Sequence, residues 1–176
     1  MRPAPQILHE LLPVDGMRPL HAPILRTRQL RWPDEAACAH FAAAWARNPA
    51  LPDAFIALHG ALGVGKTTWV RHLLRALGVT GRIKSPTFAV LEPYQLPDMH
   101  IAHFDFYRFE SAQEYVDAGF REVFEGPGLK LVEWPENADG ALPVADLDLF
   151  IETLADDTRR VTLHAHTPRG LALLDG

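Results

Sequence analysis

The sequence predicts a three-layer α/β domain around a mixed, mainly parallel sheet that finishes in antiparallel hairpins. Three observations point there. Strand-like and helix-like segments alternate through the first half of the chain. Paired strand-like segments with short turns fill the second half. Between an apolar run and an amphipathic one lies a glycine-rich segment, Gly60 to Thr68.

In order, Met1 to Pro23 hold five prolines and no periodicity, which predicts an extension set apart from a single domain over 24–176. Within it, Ile7, Leu8, Leu11 and Leu12 are apolar enough for one docked turn. An edge strand is expected over Ile24–Leu30. Pro33 then opens a helix at its first turn, where the missing N–H costs nothing, and Asn48-Pro49 stops it. Ala54–His59 reads as a buried strand. Thr67–Leu77 reads as a helix with Gly78 at its C-terminal turn. Val90–Leu96 and His100–Tyr107 pair across Pro97-Asp98. Ser111–Phe124 holds one or two short helices broken at Gly119. Leu129–Trp134 is a further buried strand. Leu147–Leu154 and Arg159–His166 close a last hairpin at Asp156-Asp157, and Pro168–Leu174 adds a helical turn.

Bulk composition narrows the function. The 176 residues are 48% hydrophobic, enough for one domain with a core. A net charge of −5 argues against direct, tight binding of a nucleic-acid backbone. One cysteine, Cys38, forbids an internal disulfide and fits a reducing compartment. No apolar run reaches the roughly 18 residues of a membrane span, and the N-terminus lacks the charged-then-apolar layout expected of a secretory signal. A soluble, cytoplasmic protein is expected. Lysine occurs only at Lys66, Lys84 and Lys130. Such sparing use hints that lysine stands where a compact ammonium is needed.

The run Gly60-Ala61-Leu62-Gly63-Val64-Gly65-Lys66-Thr67 fits G-x-x-x-x-G-K-[ST] at every fixed position. The glycines let main-chain N–H groups converge on an anion, and the next helix points its positive end at the same place. Lys66 is placed to reach the β- and γ-phosphates. The Thr67 hydroxyl is a hard ligand for Mg²⁺, and Thr68 extends the rim toward the α-phosphate. This is the pattern of a phosphate-binding loop (P-loop) that holds a nucleoside triphosphate with Mg²⁺. No N-K-x-D segment is present to read guanine, so ATP is the expected nucleotide. Hydrolysis needs an acid at a strand end to manage metal or water. Glu133, before Trp134, and Asp105 both qualify. Ser85-Pro86-Thr87-Phe88 is a hydroxyl-rich turn able to meet the γ-phosphate and change with hydrolysis. In His103-Phe104-Asp105-Phe106-Tyr107, period two puts His103, Asp105 and Tyr107 on one face. The remaining histidines lack metal-ligand spacing. Arg159 and Arg160 could reach a phosphate from the last hairpin, but a solvated turn is the expected reading, and Trp32, Trp45 and Trp69 read as core or docking residues.

In this order, the G-x-x-G-x-G-K-T-T loop, S-P-T-F, H-F-D-x-Y-R and E-W-P resemble the TsaE (YjeE) family over about Leu30 to His166. These are bacterial P-loop ATPases needed to make threonylcarbamoyladenosine in tRNA. The resemblance implies that Gly60 and the run Gly63, Val64, Gly65, Lys66, Thr67 and Thr68 bind nucleotide, with Trp134 beside it. It implies that Thr67 and Glu133 hold Mg²⁺, that Asp105 is needed for turnover, and that Ser85, Pro86, Thr87 and Phe88 form a switch loop. Lys66, Asp105 and Glu133 would be the catalytic set. The implied partner is the TsaB–TsaD complex, which modifies adenosine 37, with tRNA contacted indirectly. A chain monomeric on its own is expected. Departures are Ala61 where aspartate is common, Cys38 at a threonine position, and Gln113-Glu114 at a glutamate pair. Two other readings stand beside this one: an interaction module in which hydrolysis is incidental, and a small-molecule P-loop kinase.

Overall fold

The structure is a computed structural model that describes residues 22–138 and 140–175. The proline-rich extension, including the proposed turn at Ile7 to Leu12, lies outside the described residues up to residue 21.

The elements follow as β1 (Arg26–Trp32), α1 (Glu35–Trp45), β2 (Phe55–His59), α2 (Lys66–Ala76), β3 (Leu91–Leu96), β4 (Met99–Asp105), α3 (Ala112–Asp117), α4 (Arg121–Glu125), β5 (Leu129–Glu133), β6 (Leu147–Thr153), β7 (Arg159–Ala165) and α5 (Pro168–Leu174). The strands form one sheet in the order β1-β7-β6-β2-β5-β4-β3. Its centre is parallel: β2 pairs with β5 and β6, and β4 pairs with β5. Both flanks are antiparallel. The fold class expected from sequence is therefore the one observed.

Strand periodicity sorts side chains into two cores. One face packs Leu58, Leu131, Leu149 and Leu163 against α1, α2 and α5. Trp45 of α1 meets Trp69 of α2 edge-on at 5.7 Å. The stripe Trp69, Val70, Leu73 and Leu74 follows the three- and four-residue spacing of a helix face. The other face gathers Phe55, Phe104, Phe106 and Tyr115 against Phe120 and Phe124 of the short-helix segment. No helix among the described residues is long and apolar enough to cross a membrane.

Boundaries shift where local chemistry outbids the sequence signals. β1 lies two residues beyond the expected strand. Pro33 stands before α1 rather than in it, because Asp34 takes the N-cap and accepts from the Ala37 N–H at 2.8 Å. A side-chain cap of this kind stabilises a helix by about 1 kcal/mol. At the end of α2, Gly78 (φ 98°) sends its N–H to the Arg75 carbonyl, and Val79 reaches back to Leu74.

Helix α5 docks without space to spare. A β-carbon at Gly170 would sit 1.9 Å from the Asp146 carbonyl oxygen and 3.3 Å from the Ala165 Cα. Both are backbone, so neither yields cheaply. Gly170→Ala is expected to cost about 2–3 kcal/mol of folding stability, read as a lower denaturation midpoint. An unchanged midpoint would mean that α5 does not hold this position.

Candidate functional site

The carboxyl ends of the parallel strands converge on one edge, where ligands of open α/β sheets bind. β2 ends at His59 and hands over to the glycine loop. β4 and β5 end at Asp105 and Glu133, which are register partners. Helix α2 starts at Lys66, and its N-cap, Gly65 (φ 118°), has no side chain with which to cap it. The first N–H groups of a helix have no partner inside it, so this end is suited to an anion.

Gly60 shows why the loop needs glycine. Its φ is 139°, and a β-carbon there would stand 2.5 Å from the Ile151 carbonyl oxygen. Its own carbonyl, with that of Ala61 at 3.1 Å, accepts from the Lys66 ammonium. The same ammonium lies 4.1 Å from the centre of the Trp134 ring. Burial holds Lys66 below the ordinary lysine value, opposed by the charges of Glu133, Glu136 and Asp105.

Two cavities flank the loop. One, of about 220 Å³, is bordered by Lys66, Thr67, Ser85, Thr87, Asp105 and Glu133, with Leu62, Tyr107 and Trp134 at its sides. In it, the Thr67 hydroxyl is 2.9 Å from each Glu133 carboxylate oxygen. His103 Nε2 donates to Glu133 Oε1 at 2.8 Å. Asp105 accepts from Thr87 Oγ1 at 2.5 Å, Ser85 Oγ at 3.2 Å and the Tyr107 N–H at 2.9 Å. Lys66, Asp105 and Glu133 are each at most 4% exposed, so all three rely on these partners. Trp134 is held at φ 57° with its ring 5.0 Å from Tyr107. A bulky residue in that region stores about 1–3 kcal/mol of strain, a feature concentrated at functional sites.

The second cavity, of about 210 Å³, lies on the other side of Gly63, Gly65 and Thr68, between Trp32, Cys38, Val64 and Arg159. Burial pushes the Cys38 thiol up to about 12, which leaves it an apolar wall. The two cavities share Gly63, Gly65 and Thr68 of the glycine loop as lining.

Most residues expected from the sequence thus meet in one place. Ser85 and Thr87 face Asp105, while Pro86 is buried under the turn and Phe88 is 84% exposed against Arg108. The reading of Arg159 as a solvated residue is corrected. Its Nε donates to the Val64 carbonyl at 2.9 Å and braces the loop. Arg160 does face solvent, paired with Glu152. His103 was legible only as a member of a polar strand face, and nothing in the sequence placed Trp32 at a cavity.

The family model described as threonylcarbamoyl adenosine biosynthesis protein TsaE matches residues 32–161, most of the chain. The chain belongs to the TsaE family. Among TsaE relatives, the tRNA threonylcarbamoyladenosine biosynthesis protein TsaE of Haemophilus influenzae is 40% identical over 113 residues, covering 64% of this chain and 71% of the relative. The protein of that name from Bacillus subtilis is 36% identical over 143 residues, covering 78% of this chain and 87% of its own. The crystal structure of Bacillus subtilis YdiB superposes with a TM-score of 0.72 at 28% identity, covering 85% of this chain and 93% of that one. The TsaE match spans the loop, Asp105 and Glu133, so it takes in the whole cavity.

Proposed function

We propose that this TsaE-family chain binds ATP with Mg²⁺ and hydrolyses it to support threonylcarbamoylation of adenosine 37 in tRNA, together with the TsaB–TsaD complex. The observation that carries the reading is the meeting of Lys66, Thr67, Asp105 and Glu133 in one cavity at the uncapped end of α2. The names of the curated relatives support the pathway. The net charge of −5 supports tRNA contact through the partners rather than directly.

The donor set fits the metal. Thr67 and Glu133 offer hard oxygens already in contact, 2.9 Å apart, and His103 orients the carboxylate from behind. Bound there, Mg²⁺ would supply positive charge that offsets the charge of the triphosphate. The residues of the chain do the rest. Loop N–H groups and Lys66 cradle the triphosphate, the Lys66 ammonium reaching the phosphates from its seat on the Gly60 carbonyl. The second cavity takes the nucleoside. Asp105 orients a water for attack on the γ-phosphorus, and the bond to the β-phosphate breaks to give ADP and inorganic phosphate. Ser85 and Thr87, now on Asp105, are the hydroxyls free to exchange partners as the γ-phosphate arrives or leaves.

Asp105→Asn tests this division of labour. The variant is expected to keep ATP affinity within a few-fold and lose about 10²–10³ of phosphate release measured with TsaB–TsaD present. Release at the wild-type rate would remove Asp105 from the chemistry. A second reading, in which ATP binding governs partner docking and hydrolysis is incidental, is favoured by Leu62, which stands 71% exposed at the cavity mouth. Full tRNA modification by the Asp105→Asn protein would select it.

A further inference from the structure

His59, the last residue of β2, immediately precedes Gly60 and borders neither cavity. Its ring lies nearly parallel to that of Phe150 on β6, 4.4 Å away. Nε2 is 3.1 Å from Asp148 Oδ1 on β6. Nδ1 is 3.4 Å from Glu136 Oε2, in the 3-10 turn Pro135–Ala138 that follows Trp134. Both partners are acceptors, so both ring nitrogens must carry hydrogen to serve them. The second Asp148 oxygen accepts from His166 Nε2 at 2.8 Å.

We propose that His59, as an imidazolium bridging Asp148 and Glu136, is a positioning residue that fixes the first turn of the phosphate loop against Trp134 and so seats Lys66. The inference rests on the nucleotide-binding reading of the loop. The mechanical path is short. Gly60, the residue after His59, supplies a carbonyl to the Lys66 ammonium. Trp134, two residues before Glu136, supplies the ring beside that ammonium. The His59–Glu136 contact joins these two supports, and the contact to Asp148 anchors both to β6.

The ring faces Asp148 from β6, Glu136 from the 3-10 turn and His164 from β7, while His166 reaches the same Asp148 and Lys66 acts on the same Glu136. Burial works against charge on His59, but hydrogen bonds and charge from Asp148 and Glu136 prevail and push it up to about 9. Asp148 and Glu136 are both held below their ordinary carboxylate values: burial, the largest single influence, opposes this, and the contacts and charge of His59, with His166 at Asp148 and Lys66 at Glu136, together outweigh it. In folding, a raised histidine adds stability that is full below its ordinary 6.5 and gone once pH passes about 9. In ATP binding, the bridge is present until the folded chain loses that proton.

The test compares ATP–Mg²⁺ affinity of wild type and His59→Phe from pH 7 to 10.5. Phenylalanine keeps the stacking on Phe150 and removes the charge, the hydrogen bond to Asp148 and the ion pair with Glu136. The variant is expected to bind roughly tenfold more weakly at pH 7, with the difference vanishing above about pH 10. Using the ratio cancels any titration of Lys66, which both proteins share. Asp148→Asn, which removes the other carboxylate of the bridge and leaves the Glu136 charge beside Lys66, should reproduce the converging ratio even where His59→Phe folds poorly. A ratio near one at pH 7, or one that stays constant with pH, overturns the proposal. Failure of the wild type to bind ATP removes the nucleotide reading and this inference with it, whereas wild-type binding with an unchanged ratio removes this inference alone.

Discussion

Lys66→Ala is expected to weaken ATP binding by about a hundredfold or more and to abolish phosphate release, while leaving the fold intact. The ammonium makes charge-assisted hydrogen bonds to two phosphates in this reading, each worth about 1.5–3 kcal/mol. Alanine cannot substitute for either. The stability expectation runs the other way. Burial holds Lys66 below the ordinary lysine value, so keeping it charged costs the folded state something at neutral pH. That cost shrinks as pH rises past the folded value and is gone only above the ordinary 10.5, whereas the alanine variant lacks it at every pH. Thermal stability should therefore be unchanged or slightly higher. A variant that loses ATP binding only because it unfolds would count against the assignment, and one that binds ATP as the wild type does would refute it.

Glu133→Gln carries the second large effect. Glutamine keeps the volume and can still accept from His103 and Thr67, but it removes the negative charge beside the Thr67 hydroxyl. ATP affinity is expected to lose its dependence on Mg²⁺, and phosphate release to fall by about 10³-fold. Affinity measured with Mg²⁺ and with a chelator separates the two contributions. If added Mg²⁺ strengthens ATP binding to the variant as much as to the wild type, Glu133 is not a metal ligand. Asp105→Asn should retain the Mg²⁺ response, because Asp105 acts on water and on the Ser85–Thr87 turn. The two carboxylates are neighbours in register, yet the variants are expected to fail differently.

The loop was legible because its chemistry is local. Seven consecutive residues from Gly60 to Lys66 set the glycine positions and the lysine, and the strand and helix around them follow from periodicity. Asp105 and Glu133 were legible as acids at strand ends, though their pairing side by side required the sheet order. What stayed hidden depends on residues far apart in sequence. Arg159 reaches the Val64 carbonyl across 95 positions, and no local pattern marks that contact. His59 finds Asp148 across 89 positions and Glu136 only because the turn after β5 folds back over β2. From sequence it is one histidine beside a glycine. The shift at Pro33 has a different cause. Two valid helix-start signals stood side by side, and the side-chain hydrogen bond of Asp34 decided between them. Period-two patterning placed His103 and Asp105 on one face, but their buried depth reflects the parallel strand beside them.

Calorimetric titration of the full chain with ATP, in the presence and absence of Mg²⁺, tests the central claim most directly. A single saturable site whose affinity rises with Mg²⁺ is the result predicted from the cradle at the start of α2. No detectable binding by the folded protein under either condition would contradict it.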